Sequence, residues 1–248
     1  MIPQNQFNMR PLLTIAFLSV ILFPSCKYVT GKRISGNGNV IVQPRTFSGY
    51  TNIDASGALY VYVKQDSAFS VKVETDDNLQ QYVVIEQDGN TLRVKQQNNT
   101  NLDATGKIKI YISAPLFEGL DVSGASKIIG ENVITANEAI KIDVSGASDA
   151  ELELKAPKVS AEITGASNLE LKGQTKDLRI EGSGASHAKC FELLSENADV
   201  DVAGASSAEV FASVKLDAEA SGASHIRYKG NATVSPDASG AGSIKKVE

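Results

Sequence analysis

The chain has 248 residues, 21% of them charged and 42% hydrophobic, with a formal net charge of −5, two cysteines and no tryptophan. There is enough apolar material for one large core or two modest ones, and an acidic balance without a basic patch excludes nucleic acid as a partner.

Arg10 is the only charge in the first 25 residues, and the apolar run over residues 12–23 follows it. That run is of signal-peptide length, whereas a spanning helix needs about 20 residues. Pro24 and Ser25 lead into Cys26, an arrangement that resembles a bacterial lipoprotein signal, although Phe23 and Pro24 stand where such signals carry Leu and a small residue. The reading is a signal peptide over residues 1–25 and a lipid anchor on Cys26, holding the protein to a membrane surface without spanning it; ordinary secretion is the rival. Lys27 after Cys26 favours the outer membrane and leaves the facing side open. With Cys26 acylated, Cys190 is the only thiol left and no internal disulfide can form. Residues 26–33 read as a tether.

Residues 34–118 read as a β-rich block. Val61 and Val63, then Phe69, Val71 and Val73, Leu92 and Val94, and Ile108, Ile110 and Ile112 alternate with polar neighbours, the period of a half-buried strand. Asp88-Gly-Asn90 marks a turn between strands, and Asp76-Asp-Asn78 reads as the cap of a helical turn over residues 79–82.

From residue 119 on, a repeat dominates. Asp121-Val-Ser-Gly-Ala-Ser126 recurs with central glycines at Gly124, Gly146, Gly165, Gly184, Gly204, Gly222 and Gly240, and an isolated earlier copy is Asp54-Ala-Ser-Gly-Ala58. A step near 19 residues is too short for a helix pair and suits one turn of a β-solenoid. Counting from each glycine, the positions at −4, −2 and +4 are apolar or small, such as Leu120, Val122 and Ile128. They point inward if the segments are strands. The serine at +2 shares that parity and needs a partner, either the next serine or a backbone carbonyl. The fold class is therefore all-β, a β-solenoid of about seven coils and about 30 Å along the stack. Residues 119–248 form the repeats, and the preceding block covers the first coil.

Several of these signatures together resemble the head GIN domain family of auto-transporter adhesins: Ser35-Gly-Asn-Gly38, Phe47 with Ile53 before Ala55-Ser-Gly57, Asp76 to Leu79, Gly89 with Leu92, Ala114-Pro115 before Leu120, and the Ser-Gly-Ala series. The resemblance spans residues 35–248 and implies a single-stranded, right-handed parallel β-helix. It names no ligand.

The acids at −3 form a column: Asp121, Asp143, Glu162, Glu181, Asp201, Glu219 and Asp237. Neighbouring carboxylates about 5 Å apart match the spacing of a retaining glycosidase pair, but a feature repeated on every coil is not a unique constellation. A solvated outer face is the reading, with a cation- or lysine-bridged ladder as its rival. The mixed charges at +5, among them Glu151, Lys189 and Arg227, read as structural pairs. His187 and His225 share the +3 column two coils apart, too far for one zinc ion. Cys190 has inward parity and reads as an inert thiol. Phe191 and Phe211 both fall at +7 with outward parity, and are expected as two rings on adjacent coils that grip a sugar or a protein, unless the chain has already bent there. The candidate binding surface is thus Phe191, Phe211 and the acids from Asp121 to Asp201; no catalytic residue, metal or cofactor is assigned. The coil ending at residues 244–248 offers an edge for weak end-to-end association, with Lys245 and Lys246 as gatekeepers.

The function read from this is a non-enzymatic envelope module, adhesin-like or structural, with a carbohydrate or protein partner. A polysaccharide lyase or glycoside hydrolase on a β-helix, and a scaffold or sensor for another envelope protein, stay open as alternatives.

Overall fold

The computed structural model describes residues 31–248, of which the signal peptide and Cys26 are not part. Strand makes up 65% of it and helix 3%, arranged as a β-solenoid of about six turns. The sequence reading put the number of coils at about seven.

Two parallel ladders carry the solenoid. On the side before the glycines lie, in spatial order, Thr91–Gln96, Asn52–Ser56, Gly119–Ser123 and Ala139–Val144. The ladder continues through the second halves of four long strands, Asp149–Ile163, Asn168–Gly182, His187–Val202 and Ser207–Ala220, to Thr233–Ala238. On the side after the glycines lie Lys109–Ala114, Tyr60–Gln65, Lys127–Gly130, the first halves of the same long strands, His225–Lys229 and Ser243–Lys246. The register is residue for residue over most of the stack. The copy at Asp54–Ala58 is therefore not isolated: Asn52–Ser56 is the rung beneath Gly119–Ser123.

The glycine corner explains the repeat. Gly57, Gly124, Gly146, Gly165, Gly184, Gly204, Gly222 and Gly240 all have φ between +67° and +92°, a region that favours glycine. From Gly146 on, the alanine after each of these glycines donates its N–H to the glycine carbonyl of the coil below, as from Ala166 to Gly146 at 2.8 Å and Ala185 to Gly165 at 2.7 Å. A Cβ on Gly165 would lie 2.4 Å from the Gly146 carbonyl oxygen. The corner thus needs glycine twice, for its dihedral and for its closeness to the coil below.

The inward positions are buried as the parity predicts, from Leu120, Val122 and Ile128 up to Ala218, Ala220 and Ile226. The last coil differs: Pro236 and Ala238 are exposed, because no strand covers them among the described residues. Inside the corner Ser186, Ser206 and Ser224 find the predicted kinds of partner, while the buried Ser148 hydroxyl has none among the described residues. Ser186 Oγ donates to Ser206 Oγ (3.2 Å), while Ser206 and Ser224 donate to the carbonyls of Ala203 and Ser221, each at 2.8 Å.

The N-terminal block is woven into this stack and then closes it. Ser70–Asp76 runs antiparallel to Lys109–Ala114, and Val40–Arg45 antiparallel to Ser70–Asp76 as an outer strand. Val83–Asp88 returns antiparallel to Thr91–Gln96 through the predicted turn, where Gly89 has φ +59°. Phe69 leaves the inward set: it is 37% exposed and meets Tyr50 edge-on at 5.0 Å. Pro44 sits where an outer strand tolerates it. Asp77 N–H bonds to the Asn39 carbonyl (2.9 Å), so by the antiparallel alternation Pro44 faces the free edge, where a missing N–H disrupts no ladder bond. Lys32–Ser35 pairs with Thr100–Asp103, so strand structure begins inside the segment expected as a tether.

The Asp76-Asp-Asn78 trio departs from its expected role. A 3-10 helix does span Asp77–Tyr82, but no side chain caps it. The three side chains instead hold the loop that opens the domain. Asp77 accepts from the amides of Asn37 and Asn39 (2.5 and 2.8 Å), and Asn78 donates to the Ser35 carbonyl (2.9 Å). Asp76 is fully buried and accepts from Gly38 N–H, Thr105 N–H and Thr105 Oγ1 at 2.7, 2.9 and 2.7 Å.

Candidate functional site

The residues that alternate with the buried valines and isoleucines of the N-terminal block build a surface that no other coil repeats. Tyr111 is the register partner of Tyr62, and Tyr62 of Ile129; further up the same column stand Glu151, Glu170 and Lys189. The Tyr62 and Tyr111 rings stack at 5.2 Å and 19°. Tyr111 Oη donates to Glu74 Oε2 (2.9 Å), and Lys109 Nζ donates to Glu74 Oε1 (2.7 Å). The Lys109 ammonium, followed by the Tyr111 hydroxyl, holds the Glu74 carboxyl below its usual range. Tyr111 is thus fixed on one ring face and at its hydroxyl, and its other face lies over strand Ser70–Asp76, where Lys72 is its register partner.

Beside Tyr111 is a cleft of about 530 Å³, within the range of small-ligand sites. Ser70 and Ser113, register partners, form its floor. Tyr111 and Lys72 stand on one side, and Lys64, Asp66 and Glu131 on the other. Lys64 and Asp66 are paired at 2.9 Å. The aromatic signal was present in the sequence: Tyr60, Tyr62 and Tyr111 all have outward parity. Tyr62 and Tyr111 meet through the parallel pairing of Tyr60–Gln65 with Lys109–Ala114, and the antiparallel return of residues 70–76 adds Ser70 and Lys72 beside them; periodicity alone announces neither.

The sequence-predicted candidates lie elsewhere. Asp54, Asp121, Asp143, Glu162, Glu181, Asp201, Glu219 and Asp237 are successive register partners in one file. Cations intervene at intervals. Arg93 contacts Asp54 at 3.3 Å, and Arg179 bridges Glu181 and Asp199. Among the described residues no group of His, Cys, Asp and Glu is arranged to hold a metal ion. Asp121 is pushed up to about 6 by burial, then by Asp54 and Asp143 on either side. A folded pKa above the ordinary value means that stability falls as pH rises from about 4 to about 6, and that the cost is fully present above 6. Asp121→Asn should therefore stabilise the protein by about 1 kcal/mol at pH 8, allowing for solvent screening, and by nothing at pH 4. Thermal melts at the two pH values check this.

Phe191 and Phe211 are not side by side, which corrects the expected stacked pair. The register slips between Cys190 and Leu194, so that Phe211 pairs with Leu194, and Phe191 lies in the bulge. The Phe191 ring instead meets the cations Lys229 and Arg227 at 5.2 and 5.7 Å. His187 and His225 are exposed with Ser207 between them in register, and each bonds a serine hydroxyl, Ser207 at 2.7 Å and Ser243 at 2.8 Å. Cys190 is fully buried, and burial pushes its thiol up to about 12. At +5, Arg227 pairs with Glu209 at 2.7 Å.

A capped parallel β-solenoid, with repeated surface columns and one unrepeated cleft at its closed end, defines the class of the protein. The chain belongs to the family described as "Putative auto-transporter adhesin, head GIN domain", whose model matches residues 49–232. Solved structures of the same fold include a "putative adhesin" from Bacteroides fragilis, with TM-score 0.82 and 21% identity over 86% of this chain and all of that one. A "putative lipid binding protein" from Parabacteroides distasonis has TM-score 0.70 and 25% identity over 88% of this chain and all of that one. A "putative adhesin" from the same species has TM-score 0.69 and 24% identity over 87% of this chain and all of that one. The sequence matches no curated protein.

Proposed function

We propose that this chain is a lipid-anchored, non-catalytic interaction module of the cell envelope, adhesin-like in function and attached to the outer membrane through Cys26. The observation that carries the reading is the division of its surface. Among the described residues, acids recur in register from coil to coil, whereas the cleft beside Tyr111 groups aromatic, hydroxyl and charged side chains that the repeat does not carry. A recognition surface fits that division; catalysis needs an acid and a base free to act, and in the cleft Asp66 is paired with Lys64 at 2.9 Å, which holds its carboxyl below the usual range. The adhesin naming of the family supports the same class.

The anchor is tested by expressing the full chain and a Cys26→Ser variant in a Gram-negative host. The expected result is that the wild type takes up labelled palmitate and sediments with membranes, while the variant is unlabelled and soluble. Equal labelling and distribution of the two would remove the anchor from the account. Adhesion is tested by retention of the wild-type protein on isolated envelopes and on host-surface preparations, where release of new reducing sugar ends would instead favour an enzyme.

A further inference from the structure

We propose that the cleft beside Tyr111 binds a neutral saccharide, with one sugar ring seated against the part of the Tyr111 ring that lines it. This rests on the interaction-module reading and supplies its ligand class.

The first argument is the ring. The C–H face of a pyranose is apolar and weakly positive, and it complements the negative face of an aromatic side chain. Tyr111 is held from behind by Tyr62 and at its hydroxyl by Glu74. It therefore loses little freedom on binding, which favours affinity. The second argument is the floor. Ser70 and Ser113 are small, so a ring lying against Tyr111 meets a depression rather than a ridge.

The third argument is the rim. Sugar hydroxyls donate and accept hydrogen bonds at once, and a site that reads them needs both kinds of group. Lys64 and Lys72 supply donors, and Asp66 and Glu131 supply acceptors. Two cations and two anions cancel, so the cleft has no net attraction for a phosphate or a uronic acid polymer, and a neutral sugar is the better match. An acyl chain fits less well, because it needs an enclosed apolar slot, whereas this cleft is open and its apolar residues Val42, Ala68 and Ile112 are interspersed with serines and flanked by charge. The fourth argument is uniqueness. In the column above Tyr62 the aromatic residues give way to Ile129, Glu151 and Glu170, so the solenoid offers this platform only at its capped end.

The experiment uses the full chain, purified in detergent, on an array of neutral glucans, xylans, mannans and galactans, with acidic polysaccharides and phospholipid vesicles alongside. Hexasaccharides of the retained polymers are then titrated by tyrosine fluorescence, which is read cleanly because the protein has no tryptophan. The expected result is retention on at least one neutral glycan. Tyr111→Ala and Lys72→Ala should each weaken binding at least tenfold, Tyr111→Phe should weaken it less than Tyr111→Ala, and Phe191→Ala, on a distant coil, should bind as wild type does. Circular dichroism melts confirm that each variant is folded. Retention only on acidic polymers or vesicles overturns the proposal, as does binding indifferent to both Tyr111→Ala and Lys72→Ala. If envelopes or host surfaces retain the protein while no neutral glycan does, the saccharide inference fails and the interaction module stands; if neither retains it, both fail.

Discussion

Gly165→Ala is expected to destabilise the protein by at least about 3 kcal/mol, through two separate costs. The backbone at Gly165 has φ +79°, where an L side chain is strained by about 1–2 kcal/mol. The new Cβ would also lie 2.4 Å from the Gly146 carbonyl oxygen and 3.1 Å from its nitrogen. Both atoms are backbone, so relief requires the two coils to part. The bond from Ala166 N–H to that same carbonyl would then stretch, along with its neighbours. Gly38 separates the two costs. Its φ is +83°, but nothing lies within 4 Å of the position a Cβ would take. Gly38→Ala should show the dihedral cost alone, about 1 kcal/mol. Urea unfolding of the two variants beside the wild type checks the ordering, and equal losses would show that coil-to-coil closeness is not what selects glycine at the corner.

Asp76→Ala is expected to cost about 3 kcal/mol and to release the loop over residues 35–39. Removing the carboxylate, itself fully buried, leaves two backbone N–H groups, those of Gly38 and Thr105, and the Thr105 hydroxyl without their acceptor at a partly buried junction. Gly36 shows how tightly the loop is drawn in, since a Cβ there would sit 2.3 Å from Asp76 Oδ2. The same contacts set a pH dependence. Burial pushes the Asp76 carboxyl up, but the hydrogen bonds from Thr105 and Gly38 outweigh it, and the net direction is down. A folded pKa below the ordinary value means that the carboxylate's contribution is fully present above about pH 4 and is lost as pH falls through the folded value. Wild-type stability should therefore drop more steeply on acidification below about pH 4 than that of Asp76→Ala. Hydrogen exchange at Gly38 and Thr105 reads the loop directly and should accelerate in the variant.

How far the sequence reached depends on the range of the interactions involved. The glycine file and the buried columns were legible because each coil repeats the last. Parity within one strand then decides inside from outside for all of them, and Val122, Val144, Ile163 and Val202 obey it. The role of Asp54–Ala58 was not, since its rung lies next to a strand 67 positions away in sequence, Asn52 pairing with Gly119. The Phe191–Phe211 pairing failed through a local irregularity. Three extra residues bulge between Cys190 and Leu194, and a fixed offset from the glycine carries no information about that. Gly173 and Gly230 were passed over for a related reason. They stand outside the repeat, yet a Cβ on either would come within 2.1 Å of a carbonyl oxygen on the coil below. The Asp76-Asp-Asn78 trio was misread because capping is the commonest local use of such residues. Its partners at residues 35–39 and 105 are brought in only by the tertiary fold. The cleft is of the same kind: its walls come from four strands and two connecting segments, brought together by one parallel and two antiparallel pairings.

In-register stacking of the coils at the glycine corner and along the acidic column underlies both the glycine argument and the separation of repeated columns from the unrepeated cleft. The direct test places cysteine pairs on the exposed acidic column, in a background with Cys26 and Cys190 replaced by serine, and treats them with a bifunctional thiol reagent spanning about 5 Å, the spacing of neighbouring strands. The account predicts efficient intramolecular cross-linking of Glu162→Cys with Glu181→Cys, which are register partners, and little for Glu162→Cys with Asp201→Cys, which stand two coils apart. Equal cross-linking of the two pairs, or a preference for the second, would contradict it.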